Sequence, residues 1–69
     1  MGMPNIELCG NKHAAVEGCR GILEYAENSV RLNTGSLILS FKGQGLRIKF
    51  LGDNTIEIAG LISELSFIM

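Results

Sequence analysis

The sequence predicts an all-β fold, an antiparallel meander curling into a small sandwich or roll of about eight short strands. Three observations lead there. Apolar and polar residues alternate in short runs that recur roughly every 7–10 residues. The nine glycines fall largely between those runs, where the backbone needs positive φ or a close approach. The one proline, Pro4, precedes the first run, where no ladder N–H is lost. A short β-solenoid is the alternative, because the runs recur at near-constant spacing.

Ile6-Glu7-Leu8-Cys9 alternates and ends at the turn signal Gly10-Asn11-Lys12. Ala14-Ala15-Val16-Glu17 is a weaker run closed by Gly18. Leu23-Glu24-Tyr25 and Val30-Arg31-Leu32 alternate on either side of Glu27-Asn28-Ser29. A helix over residues 19–33 competes there, with Ile22, Tyr25, Ala26, Ser29 and Val30 near helical spacing. Flanking Gly18 and Gly21 and the internal Asn28-Ser29 favour a hairpin instead. After Asn33-Thr34-Gly35-Ser36 comes Leu37-Ile38-Leu39-Ser40-Phe41-Lys42. Gly43-Gln44-Gly45 has the composition of a hairpin turn, and Leu46-Arg47-Ile48-Lys49-Phe50 is the cleanest strand. Gly52-Asp53-Asn54 turns again, Thr55-Ile56-Glu57-Ile58-Ala59 alternates, Gly60 breaks, and residues 61–68 close the chain.

Alternation also assigns faces. Ile6, Leu8, Val16, Leu23, Tyr25, Val30, Leu32, Leu37, Leu39, Phe41, Leu46, Ile48, Phe50, Ile56, Ile58, Leu65 and Phe67 are expected inside. The other face carries charges of both signs, but also Cys9, Ala15, Ile22, Ile38, Leu51, Ala59, Ile62 and Ile68. A terminal run, Ser66-Phe67-Ile68-Met69, has no charged or proline residue to guard its edge. An apolar outer face and an open edge predict a homo-oligomer or a docked partner. The interaction surface is expected at Ile22, Ile38, Leu51, Ile62, Phe67 and Ile68. A roll buried on both faces is the alternative account of the apolar excess.

At 69 residues the chain has room for one domain, expected over residues 4–69, with residues 1–3 a leader or added residues. A mean hydropathy of +0.28 excludes a disordered chain. No run of about 18 apolar residues exists to cross a membrane as a helix. Residues 1–15 lack a charged start followed by an apolar stretch, so no signal peptide is expected and the cytoplasm is. Six basic against seven acidic residues argue against a dedicated nucleic-acid binder, which carries a clustered basic stripe.

No motif carries chemistry. Cys9, His13 and Cys19 are the only soft metal ligands, and structural zinc needs four. A Cys9–Cys19 disulfide would not persist in a reducing compartment. Cys19 beside Arg20 lacks an orienting third group for an activated thiolate. Glu24/Glu27 and Glu57/Glu64 are expected to face solvent rather than act as acid and base. Gly43-Gln44-Gly45 is followed by no helix that could hold phosphate. Lys42, Arg47 and Lys49 form a candidate basic patch across the expected central hairpin, with no aromatic on their face for stacking bases. No catalytic residue, metal or cofactor is expected. Two rival readings use these groups: a small metal- or ligand-binding redox or sensory module built on Cys9, His13 and Cys19, and an anionic-surface binder built on the basic patch.

The order of these segments resembles the YabP/YqfC family of sporulation proteins, the YqfC branch in particular. The resemblance covers residues 4–68 and rests on Gly10-Asn11-Lys12, Gly21-Ile22-Leu23-Glu24-Tyr25, Arg31-Leu32-Asn33-Thr34 and the Lys42-Gly43 segment. It implies a small non-enzymatic protein of endospore-forming bacteria, made in the mother cell. It implies a structural, assembly or protein-interaction role, and a link to a YqfD-like membrane sporulation protein that would hold it at a membrane. Family members carry a longer charged segment ahead of the first strand, where this chain has Met1-Gly2-Met3.

Overall fold

A computed structural model describes residues 5–68, which form six strands and no helix. They are β1 (Asn5–Cys9), β2 (His13–Glu17), β3 (Gly21–Ala26), β4 (Ser29–Asn33), β5 (Ile38–Gly52) and β6 (Thr55–Ile68). Pro4 and Met69, with the expectations placed on them, lie outside the described residues. Every ladder is antiparallel, which rules out a solenoid of parallel coils. The sheet order is β1-β2-β6-β5-β4-β3. The chain is therefore a β3-to-β6 meander with the β1–β2 hairpin added beside β6, rather than one uninterrupted meander. Residues 19–33 form the β3–β4 hairpin and not the competing helix, with Tyr25 opposite Val30 and Ala26 opposite Ser29.

Two expected turns are not turns. Gly43-Gln44-Gly45 lies inside the fifteen-residue β5, and Gly60 lies inside the fourteen-residue β6. The eight expected segments are present, but four of them are fused into two bent strands. The glycines serve the bend rather than a reversal. A Cβ on Gly43 would run into the Leu61 carbonyl oxygen, and one on Gly60 (φ +127°) would lie 2.5 Å from the Gly45 carbonyl oxygen. Register shifts between Lys42 and Gly43 and between Gln44 and Arg47 mark the β-bulges that accompany this close crossing.

The bend lets one sheet cover itself. Fifteen straight strand residues would span roughly 50 Å, yet the longest dimension of the molecule is 31 Å. Residues 55–59 of β6 pair with β2, while residues 38–42 of β5 pair with β4. Two half-sheets result: β1, β2, the first part of β6 and the last part of β5; then the last part of β6, the first part of β5, β4 and β3. Val16, Ile56 and Ile58 from the first, with Val30, Leu32, Leu39 and Phe41 from the second, are fully buried in one core cluster. With no helix to cover them, each half-sheet is the lid of the other. The two hairpin turns staple the bends by backbone bonds. Gly60 N and Ile62 N donate to Lys12 O and Asn11 O at 3.1 and 2.7 Å, and Gly43 N and Leu46 N donate to Asn28 O and Glu27 O at 3.2 and 2.7 Å.

Several assignments by alternation change at the bulges and edges. Ile62, expected on the outer face, is in the core at 9% exposure, because it keeps the parity of Ile56 and Ile58 through Gly60. The parity changes only after it, where Ser63 is the extra residue between the Gly43–Ile62 and Lys42–Glu64 pairs. The bulge between Ile48 and Phe50 puts Leu51 opposite buried Ile56 and Phe50 opposite Glu57, the reverse of the expected facing. Leu23 occupies a bulge in β3 between Ile22 and Glu24. Leu8, Leu23, Tyr25, Phe50 and Phe67, all expected inside, are about half exposed. Thr34, buried, donates from Oγ1 to Leu37 O at 2.7 Å, and no buried side-chain polar atom among the described residues lacks a partner.

Gly43→Ala is expected to cost about 2–4 kcal/mol, since backbone must move at a packed crossing. A domain this size has only about 3–5 kcal/mol in total, so the variant should lose more than half of the parent's urea midpoint. Gly21→Ala, with open space around it and no positive φ, should stay within about 0.5 kcal/mol of the parent.

Candidate interaction surface

The roll is closed unevenly along the line where β3 meets the second half of β5. At the bend, the main chain closes it through Leu46 N to Glu27 O at 2.7 Å. One rung further, the Tyr25 hydroxyl stands in for a main-chain acceptor and receives Ile48 N–H at 3.1 Å. Beyond Ile48 the strands part, and a cleft of about 640 Å³ opens between residues 19–22 and 51–55.

The cleft walls are built by local backbone bonding. Asn54, in the left-handed region (φ +63°), presents its carbonyl to Gly18 N at 2.7 Å and Cys19 N at 3.1 Å. That bond clamps the β2–β3 connection to the β5–β6 turn. Arg20 N donates to Asn33 O at 2.6 Å, and the Arg20 side chain lies over Gly35, where a Cβ would sit 3.0 Å from Nε. Ile22 and Leu51 are the apolar walls. Each stands opposite a fully buried residue, Leu32 and Ile56, yet they are 39% and 66% exposed. They face inward at a mouth that nothing in the fold covers. Arg20 and Asp53 supply one charge of each sign.

The expected interaction surface is thus divided. Ile22 and Leu51 line the cleft. Phe67 is 53% exposed beside buried Leu39, and Ile38 and Ile68 pair with each other on the outer face, half-buried and exposed respectively. Ile62 drops out of the surface because it is core. Leu8, Leu23, Tyr25, Phe50 and Leu61 join the exposed set. Sequence reasoning missed the first four because they alternate correctly but lie on edges or at bulges.

The basic patch does not form as expected. Without a central hairpin, Lys42 lies before the bend, opposite Glu64. Arg47 and Lys49 lie beyond it on the free edge of the other half-sheet. The metal candidates are likewise separated. Cys9 and His13 are cross-strand partners beside the first turn, whereas Cys19 is buried past the other end of β2, its thiol donating to Gly21 O at 3.5 Å. His13 Nε2 lies 3.2 Å from Glu57 Oε1. Among the described residues no three metal-binding side chains gather to hold an ion. Both thiols are free. Glu24 is engaged by Arg31 at 3.6 Å, and Glu57 and Glu64 sit on opposite sides of the β6 bend.

The family model described as the YabP family matches residues 2–69 of the chain. No curated protein matches it.

Tyr25→Phe removes the acceptor of Ile48 N–H. Stability should fall by about 0.5–1.5 kcal/mol, and hydrogen exchange at the Ile48 amide should accelerate selectively. Unchanged exchange there would show that the hydroxyl does not close the roll.

Proposed function

Because the chain belongs to the YabP family and is sporulation-related, we propose that it is a non-enzymatic interaction and assembly module of the mother cell, of the YqfC branch. The observation that carries this reading is the set of large apolar side chains left exposed on rigid strands, Leu51, Leu23, Tyr25 and Phe67 foremost. Scattered exposed apolar residues are ordinary. Here they concentrate along strand edges and at the cleft mouth, where backbone groups are also available for pairing.

The edges agree. β1 has burial only at Ile6, and every residue of β3 after Gly21 is exposed. Both strands spend ordering entropy without burying a face within the chain, which a partner surface would offset. The proposed setting is the mother-cell cytoplasm, with the protein held at a membrane through a YqfD-like partner. No helix among the described residues is long and apolar enough to cross a membrane. Homo-oligomerisation is part of the proposal.

The test is complementation of a sporulating strain that lacks this gene. Leu51→Asp with Phe67→Asp should fold with the parent's unfolding midpoint, because both positions are more than half exposed. Heat-resistant spore counts should nevertheless fall toward those of the deletion strain. Full spore yield from the double variant would overturn the reading.

A further inference from the structure

We infer that the chain assembles head to tail with copies of itself, β1 of one copy adding to the free edge of β5 in the next. The inference rests on the interaction reading above and specifies its surface.

The first half-sheet has two unlike edges. Its order is β1, β2, β6, β5. At one edge, β1 contacts no strand other than β2. At the other edge, residues 46 and 48 of β5 are engaged by the β3 hairpin, but residues 49–52 run free into the cleft. One edge is a five-residue strand without a second ladder; the other is an unpaired stretch of comparable length.

Three features match these edges. The first is direction. Strands alternate across the half-sheet, so a second copy in the same orientation sets its β1 antiparallel to β5, as every ladder in the fold is set. The second is facing. In β1, Ile6 and Leu8 pair with buried Val16 and Ala14 and point inward, while Glu7 points outward. In β5, Ile48 and Leu51 share the inward face of Ile58 and Ile56, while Arg47 and Phe50 point outward. Continuing the sheet therefore carries Ile6 and Leu8 of the added strand toward the exposed Leu51 and Ile22.

The third is charge. The β1 edge is acidic: Glu7 of β1 and Glu17 of the neighbouring β2 line a depression of about 240 Å³, whose far side is Glu57 of β6. The free β5 stretch begins at Lys49, with Arg47 just ahead of it, and carries no acid before Asp53. β3 is a poorer acceptor, because its bulge at Leu23 breaks the repeat an added strand must match. Unlike edges in contact make a heterologous interface, which closes into a ring or extends as a filament.

Charge reversal and mixing test this by light scattering after size exclusion. The parent chain should run well above 7.5 kDa. Glu7→Lys and Lys49→Glu should each raise the concentration needed for assembly by about tenfold or more, since like charges then meet across the interface. An equimolar mixture of the two variants should assemble again, because each supplies the edge the other lacks. A parent that stays monomeric, or assembly lost in Glu7→Lys but indifferent to Lys49→Glu, as a β1-to-β1 dimer would show, overturns the inference. The spore-count result for Leu51→Asp with Phe67→Asp is read separately. A monomeric parent with that spore defect intact would remove self-assembly from the interaction reading, leave the rest of it standing, and point to a different protein in the cleft.

Discussion

The fold depends on one close backbone crossing. β5 and β6 approach at Gly43, Gly45 and Gly60 so tightly that no Cβ fits at Gly43 or Gly60. A sheet of this size without a helix has nothing to cover its apolar face, and a flat six-stranded sheet would leave Phe41 and Ile56 in water. Bending both long strands at one place turns a single sheet into its own two layers. The cost is a pair of positions where only glycine is tolerated.

The bend also disturbs hydrogen bonding, and the hairpins repair it. The N–H groups of Gly43, Leu46, Gly60 and Ile62 point away from the β5–β6 ladder, and four carbonyls of the two hairpin turns accept them. The strand order, with a short hairpin on either side of the two long strands, suits the same arrangement, since each hairpin tip serves one bent strand. Core formation and backbone satisfaction are thus one event, which suits a chain whose total stability is a few kcal/mol.

What the fold leaves unsatisfied lies away from the bend. The half-sheets diverge toward their far ends, so Leu51, Ile22 and Phe67 keep inward registers without cover. The outer strands are ordered by a single ladder each. Family membership places the chain in sporulation, and these uncovered edges and side chains are where a partner gains the most apolar burial.

Much of this was legible in the residues. Period-2 alternation determined the all-β class, the strand identity of nearly every segment, and the inward facing of Val16, Val30, Leu32, Leu39, Phe41, Ile56 and Ile58. The same pattern placed Ile68 on the outer face, where it is exposed, but Ile22 and Leu51, expected beside it, are exposed on inward registers at the cleft mouth. Only tertiary structure decided whether Gly43-Gln44-Gly45 would reverse a strand or bend it, because local composition suits both. The outcome rests on Leu61 passing overhead and on the Asn28 carbonyl. Tertiary structure alone decided the facing beyond each bulge as well. One inserted residue shifts the register by one, and with a period of two that exchanges the faces of everything downstream, which is why Phe50 went out, and why Ile62, ahead of the extra Ser63, faces the core with Ile56 and Ile58 while Leu65 and Phe67 follow the other parity.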